Sequence, residues 1–250
     1  MAASTVRKIH EDVREIEQEL NRLISGEVRF DDFSRTLYST DASIYEMKPM
    51  GVVVPRNKDD VLAVVDVAYR SNISIVPRGG GTSLAGQTVN HGIVIDFSKY
   101  MDQVVEINSE EGWANVQPGI VLDNLNKHLS KHSLHYAPDP STSNRACVGG
   151  TIGNNSCGAH SISYGKTIDH IKELSVILSD ATEVKFSPMT PVEIHAKLSS
   201  GGLESRIYGD ALRVIDENRG EVNSRYPKIM RRVGGYNLDD VTANGLINLS

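Results

Sequence analysis

Cysteine is nearly absent: the 250 residues hold two, Cys147 and Cys157, and neither belongs to a CxxC pair. Two thiols cannot supply the ligands of a cysteine-bound iron–sulphur cluster, and they fit a reducing compartment, so a cytoplasmic location is expected. Aromatic residues make up only 6% of the chain, with a single tryptophan, Trp113. No segment reaches the roughly 18 consecutive apolar residues of a membrane span, and none is expected. Basic runs are missing too: 26 lysines and arginines stand against 32 acidic residues, a net charge of -6, which argues against a nucleic-acid partner. The first twenty residues alternate acid and base without an apolar core, unlike a secretory signal or transit peptide. What remains is a chain long enough for one large domain or two small ones with an ample core.

Val6, Ile9, Val13, Ile16, Leu20 and Leu23 recur at spacings of three and four, which predicts an N-terminal amphipathic helix within residues 1–26. At barely three heptads, its stripe suits packing against its own domain better than a coiled coil. From Gly51 the pattern turns to alternating strand and helix. Val52 to Pro55 reads as a buried strand, and Asn57 caps a helix with two acids in its first turn that runs to about Arg70. Short β-branched runs at Ser74 to Pro77, Ile93 to Asp96, Val104 to Ile107 and Ala114 to Gln117 read as sheet. Val121 to Ser130 has helical periodicity, Leu174 to Leu178 and Glu183 to Phe186 flank a hairpin turn, and Pro191 starts a helical stretch to about Asn223. The last fifteen residues contain a polar stretch and then an apolar beginning, as if the chain stopped inside an element.

The strongest local signal is the segment Pro77-Arg78-Gly79-Gly80-Gly81-Thr82-Ser83-Leu84-Ala85-Gly86-Gln87, set between two apolar strands. Consecutive glycines let backbone N–H groups converge on an anion, and Thr82 and Ser83 add hydroxyls, so this is either a phosphate cradle or a flexible hairpin loop. A second segment, Gly149-Gly150-Thr151-Ile152-Gly153-Asn154-Asn155-Ser156-Cys157-Gly158, combines small residues and amides, which suits a backbone lying flat against a planar ligand. Two such loops point to one extended cofactor touched at two places. Neither loop is the G-x-G-x-x-G of a dinucleotide fold. Gly165-Lys166-Thr167 imitates the end of a P-loop, but His160 stands where that motif needs glycine. His128, His132 and His135 have a metal-compatible spacing, yet the lysines and asparagine around them read as a solvated face, and no metal is expected. His160 is open between a packing and a site role, Pro138 to Thr142 reads as a rigid turn, and Arg35 with Tyr38 to Asp41 reads as a capping or turn patch. No Ser/His/Asp or Cys/His arrangement supports nucleophilic hydrolysis.

Taken together, the strand and RGGGTS loop, PGIVLDNLNKHL, PDPST, VGGTIGNNSCGAHSISYGKT and ILSDATEVKF resemble the FAD-binding domain of the vanillyl-alcohol oxidase / p-cresol methylhydroxylase superfamily. FDDFSRTLYSTDASIYEMKPMGVVVPR and GGTSLAGQ are similar to its D-lactate, glycolate and D-2-hydroxyglutarate dehydrogenase branch, closest to the N-terminal part of large bacterial flavin/iron–sulphur fusion oxidoreductases. The resemblance covers about residues 27–250. It implies an α+β fold in two subdomains, 27–110 and 111–250, the second incomplete at its C-terminal side.

The resemblance further implies FAD wrapped at its pyrophosphate by Pro77, Arg78, Gly79, Gly80, Gly81, Thr82 and Ser83, with Gln87 nearby. Pro138, Asp139, Thr142, Gly149, Gly150, Gly153, Asn154, Ser156 and Gly158 would line the flavin and ribityl side. The first loop lacks the histidine that often links FAD covalently, so non-covalent FAD is expected. The implied reaction is hydride transfer to FAD from a small-molecule D-2-hydroxyacid, with the base in a cap domain and the electron acceptor unspecified. Two alternatives stay open: an enolpyruvyl-sugar nucleotide reductase, and a non-catalytic FAD-binding module.

Overall fold

The computed structural model describes residues 2–229, 232, 235–242 and 245–250, with side chains from residue 13 onward. Its first element is α1 (Ala2–Leu23), the expected amphipathic helix. Ile16 and Leu20 of its stripe are buried against the domain's own core. The side chains of Val6 and Ile9 lie outside the described residues.

Strand β1 (Glu27–Arg29) pairs antiparallel with β2 (Gly51–Val54), and between them sits the short helix α2 (Asp32–Leu37), capped by the Asp31 carboxylate. Helix α3 (Lys58–Arg70) follows, its N-terminus capped by Asn57, whose side chain accepts from the Asp60 N–H. Then come β3 (Ile75–Arg78) and β4 (Ile93–Asp96), which complete a four-stranded sheet in the order β1-β2-β4-β3. The last three of these run parallel, with Val53 opposite Ile95 and Val76 opposite Val94. Buried on both faces, the central strands are apolar at every residue before Asp96 apart from Gly51. Val53, Ile93 and Ile95 face α1 and α3, where Val61, Val64 and Val67 fill the core. Val52, Val54 and Val94 face the other way with Val76, under Tyr38 and Tyr100.

A hairpin of β5 (Val104–Asn108) and β6 (Trp113–Val116) begins the next part of the chain. Residues 110 and 111 lie in its turn. Its apolar face packs with α4 (Leu122–Leu129), whose Leu122, Leu125 and Leu129 form a second core. The second glycine-rich segment departs from the expected flat loop: it folds as α5 (Val148–Gly153). Val148 is buried in the second core with Ile152 packed beside it, and this apolar anchoring holds a helix that three glycines would disfavour. After it come α6 (Ser161–Tyr164) and a 3-10 turn at Thr167–His170.

Strands β7 (Leu174–Ile177) and β8 (Glu183–Phe186) form the expected hairpin, with Ala181 at φ 62° in its turn. Its tip reaches back to the first core through Ile177 and Ala181, and Lys58 of α3 meets Glu183 at 2.8 Å. The helical stretch from Pro191 is broken into α7 (Pro191–Ser199), α8 (Gly202–Glu217) and α9 (Arg219–Arg225). The first break falls where Gly201 and Gly202 take φ of 73° and 81°. The chain's last residues are seated rather than loose, since Ile247 bridges Met189 and packs with Leu249 on a third core, formed by Val184, Phe186, Ile194 and Tyr208.

Candidate cofactor site

The connection from β3 to β4 carries the first glycine segment, and the fold explains its shape through steric contacts. A Cβ on Gly80 would sit 2.2 Å from the Arg145 carbonyl oxygen, and one on Gly79 would sit 2.8 Å from Cys147 Cβ. The glycines therefore let two backbones meet across 65 positions of sequence. Gly81 adopts φ 61°, which only glycine takes at no cost, and it lies against the Arg78 guanidinium. That guanidinium is held in turn over the Tyr38 ring at 5.2 Å, with Nη1 donating to the Tyr38 carbonyl at 3.4 Å. The Tyr38 hydroxyl donates to the buried Asp96 carboxylate at 2.5 Å, and burial and that carboxylate both push the phenol's pKa up. Arg78 is thus a bolt behind the loop.

Braces from outside fix the rest. The Ala42 N–H donates to the Gly81 carbonyl at 3.0 Å, and the Thr88 hydroxyl donates to Asp41 at 3.0 Å. The patch at Tyr38 to Asp41, expected only to cap or turn, is the scaffold of the glycine loop. Ser83 is buried and its hydroxyl accepts from the Ala85 and Gln87 N–H groups, each at 3.4 Å. By contrast the backbone N–H groups of Gly81, Thr82 and Ser83 find no acceptor among the described residues. Such N–H groups, held from behind and unsatisfied in front, suit an anion.

Across an open cleft of about 2820 Å³ lies the second segment. Gly149 packs on Pro118, but Cβ atoms on Gly150 and Gly153 would meet nothing within 4 Å. Those two positions present bare backbone to the cleft, as a flat ring requires. Ser156 is fixed by its carbonyl, which accepts from the Thr167 N–H at 3.0 Å and the Thr167 hydroxyl at 2.8 Å. Asn155 bonds Ile168 through Oδ1, while its buried Nδ2 has no partner among the described residues. These features fit FAD: donors for phosphate on one wall and a surface without side chains on the other.

The cleft is lined by Pro77 to Ser83, Gln87, Thr142, Gly149, Gly150, Gly153, Asn154 and Ser156. Pro138, Asp139 and Gly158 lie off that lining. Pro138 is buried; Asp139 accepts from the His160 ring Nδ1 at 2.6 Å and from its backbone N–H at 3.0 Å. Burial pushes the Asp139 carboxyl up, but these hydrogen bonds outweigh it and hold the group below the usual aspartate value. A Cβ on Gly158 would sit 2.0 Å from the Asp139 carbonyl oxygen, so these residues pin the turn to the segment. His160 thereby gains the partner that its sequence context did not reveal. Lys166 of the false P-loop is buried, its amine 3.4 Å from the Arg232 carbonyl. Cys147 is buried between the two loops, and burial pushes its thiol up to about 11 although the Gly80 N–H acts the other way. Among the described residues no cluster of histidine, cysteine or acid could hold a metal ion, and no helix is long and apolar enough to cross a membrane.

Comparison with known proteins bears on the same residues. The chain is 38% identical over 217 residues to the D-2-hydroxyglutarate dehydrogenase of Pseudomonas putida, covering 85% of this chain and 22% of that protein. It is 35% identical over 244 residues to the Escherichia coli enzyme of the same name, covering 96% of this chain and 24% of that one. The chain therefore spans about a fifth to a quarter of these relatives. Against the glycolate oxidase subunit GlcD of Bacillus subtilis it is 36% identical over 167 residues, 65% of this chain and 35% of that one. Among solved structures, alkyldihydroxyacetonephosphate synthase superposes with a TM-score of 0.63 at 23% identity, over 68% of this chain and 38% of that one. p-Cresol methylhydroxylase gives 0.63 at 16% identity, over 78% and 38%; at these identities the likeness is one of fold. Residues 49–187 match the family model described as FAD binding domain, and the chain belongs to that family, with the α+β fold of the vanillyl-alcohol oxidase / p-cresol methylhydroxylase type.

Proposed function

We propose that this chain is the FAD-holding part of a dehydrogenase that oxidises a D-2-hydroxyacid, with D-2-hydroxyglutarate the first candidate and D-lactate and glycolate next. One observation carries the cofactor half of this reading: the unsatisfied N–H groups of Gly81 to Ser83 and the bare faces of Gly150 and Gly153 line the same cleft. The substrate half rests on the D-2-hydroxyglutarate dehydrogenases and glycolate oxidase subunits to which the chain is similar.

When bound, FAD supplies the hydride acceptor for oxidation of the substrate's CH–OH carbon. The chain's own residues bind and orient. Gly81, Thr82 and Ser83 would donate backbone N–H groups to the pyrophosphate, with Pro77 to Gly80 and Gln87 around it. Gly150 and Gly153 would admit the flavin ring, and Thr142, Gly149, Asn154 and Ser156 would flank it. Asp139, Pro138 and Gly158 would act indirectly, by fixing the segment through His160. Attachment is non-covalent: no histidine lies in residues 77–87, and the Cys147 thiol is buried with a raised pKa. No residue of the cleft is assigned as the base that takes the hydroxyl proton. A cytoplasmic location and a subdomain division near residue 110 belong to the same reading, supported by a sequence with only two cysteines, neither in a CxxC pair, and by the separate hydrophobic cores on either side of the β5–β6 hairpin.

The test is spectroscopic. The purified chain, mixed with FAD and desalted, is expected to keep flavin absorbance that acid precipitation releases into the supernatant. In protein spanning the full length of the relatives, anaerobic D-2-hydroxyglutarate should bleach that band. A band left intact by D-2-hydroxyglutarate, D-lactate and glycolate alike would sink the substrate class and leave the cofactor reading standing.

A further inference from the structure

Two arginines flank the glycine loop, and the structure gives them opposite situations. Arg78 is half-buried and spent on the protein, between the Tyr38 ring, the Tyr38 carbonyl and Gly81. Arg145 lines the same cleft with its side chain exposed, and among the described residues its guanidinium makes no ion pair and no hydrogen bond. Its backbone is nonetheless rigidly placed. The Arg145 N–H donates to the Thr142 carbonyl at 2.9 Å, and its own carbonyl is the group against which Gly80 packs at 2.2 Å from an ideal Cβ. An unpaired cation is therefore anchored one backbone contact away from the three N–H groups that await an anion. Half of the other arginines with described side chains have a carboxylate, among them Arg29 with Glu27, Arg70 with Glu19 and Asp66, and Arg213 with Asp210 and Glu217, and Arg145 is an unpaired one that lines the cleft.

We infer that Arg145 is a diphosphate-binding residue: its guanidinium folds over the glycine loop and clamps the pyrophosphate of the bound nucleotide from the cleft side, while Arg78 only shapes the loop. The inference rests on the FAD reading above and deepens it by dividing the loop's work between a fixed backbone cradle and a mobile charged side chain. A guanidinium presents a planar fork that matches two phosphate oxygens, which a lysine ammonium cannot reproduce. The interaction is made at an exposed position, so it is also screened by salt.

The experiment compares the unmodified chain with Arg145→Gln and Arg145→Lys, using FAD, ADP and riboflavin as probes. Binding is read by quenching of flavin fluorescence for FAD and riboflavin and by calorimetry for ADP. Loss of one charge-assisted contact is expected to weaken FAD and ADP by about tenfold in Arg145→Gln. Riboflavin, which has no phosphate, should bind both proteins alike, Arg145→Lys should fall between, and the salt dependence of FAD binding should flatten in Arg145→Gln. Equal FAD affinity in Arg145→Gln and the unmodified chain overturns the assignment. So does an equal loss for riboflavin, which would mean that the substitution acts on the fold. Failure of the unmodified chain to bind FAD or ADP at all would overturn the cofactor reading and this inference with it.

Discussion

The two glycine-rich segments, 77–87 and 149–158, have similar compositions and opposite architectures. The first is irregular, held from behind by Asp41, Ala42 and the Arg78–Tyr38–Asp96 relay, and it keeps three backbone N–H groups unsatisfied. The second is a helical turn and its exit, whose N–H groups are largely used: Val148 donates to Ile120, Gly149 to Pro118, and Ser156 to Thr151. What it offers the cleft is absence of side chains at Gly150 and Gly153. Glycine thus serves three purposes here: close packing of backbones at Gly80 and Gly158, a left-handed turn at Gly81, and an open surface at Gly150 and Gly153. Only the last two purposes turn towards the cleft, so the number of glycines in a loop says little about how many are open to it.

The sharpest way to break this comparison is to add one methyl group on each side. Gly80→Ala places a Cβ 2.2 Å from a backbone oxygen that cannot yield, so a loss of about 2 kcal/mol or more in thermal or urea unfolding is expected. Gly150→Ala meets nothing, and its stability should stay within about 1 kcal/mol of the parent while FAD affinity falls. Equal destabilisation by the two substitutions would end the distinction.

Next in size is the relay behind the first loop. Tyr38→Phe leaves the buried Asp96 carboxylate with the Ser98 N–H at 2.8 Å but without its phenol, at a cost of about 2 kcal/mol in urea unfolding. FAD binding should fall less than stability, because the ring and the backbone carbonyl that hold Arg78 both remain. An unfolding midpoint equal to the parent's would show that the relay does not hold the loop.

The second segment has its own brace, which is neutral. Thr167→Val removes a hydroxyl that donates to the Ser156 carbonyl at 2.8 Å and accepts from Tyr136 at 3.3 Å, and about 1 kcal/mol should be lost in the same assay. A larger loss than that of Tyr38→Phe would reverse the ranking of the two braces.

The smallest effect near neutral pH concerns a group far from both loops. Glu27 is held at a pKa of about 2, against an ordinary 4.5, by hydrogen bonds from Lys99 and Tyr100, opposed by burial and aided by Arg29. Because the folded value is the lower one, its stabilisation is complete above the unfolded value and disappears as pH falls from 4.5 towards 2. Acid unfolding followed by circular dichroism should therefore be less steep in that window for Glu27→Gln, with flavin retention at pH 7 unchanged. A parallel acid transition in the two proteins would contradict this role for Glu27.

Much of the fold was legible locally. Asn57 before two aspartates marked the start of α3 to the residue, β-branched runs marked the strands, and Pro191 marked the start of α7, where Thr190 and Glu193 close a capping box. The candidate site was legible as a pair of segments that the fold sets on one cleft. The roles within it were not, because the partners are remote: Arg145 for Gly80, Asp139 for Gly158 and His160, Asp96 for Tyr38. Helix α5 was hidden for a related reason. Its glycines argue against a helix, and it forms because Val148 and Ile152 are drawn into the core built by α4 and the β5–β6 hairpin.

By itself, then, the sequence determined α1, α3, α4 and the strands from β2 to β8, their order, and two stretches of chain that the proposed cofactor would meet. These follow from capping, apolar periodicity and turn chemistry, which act over a few residues. The tertiary structure alone decided which backbone N–H groups stay unsatisfied, which glycines are open and that an arginine without a carboxylate partner, Arg145, lines the cleft. Such properties depend on steric and electrostatic contacts between segments tens of residues apart, and these exist only once the cores have brought the segments together.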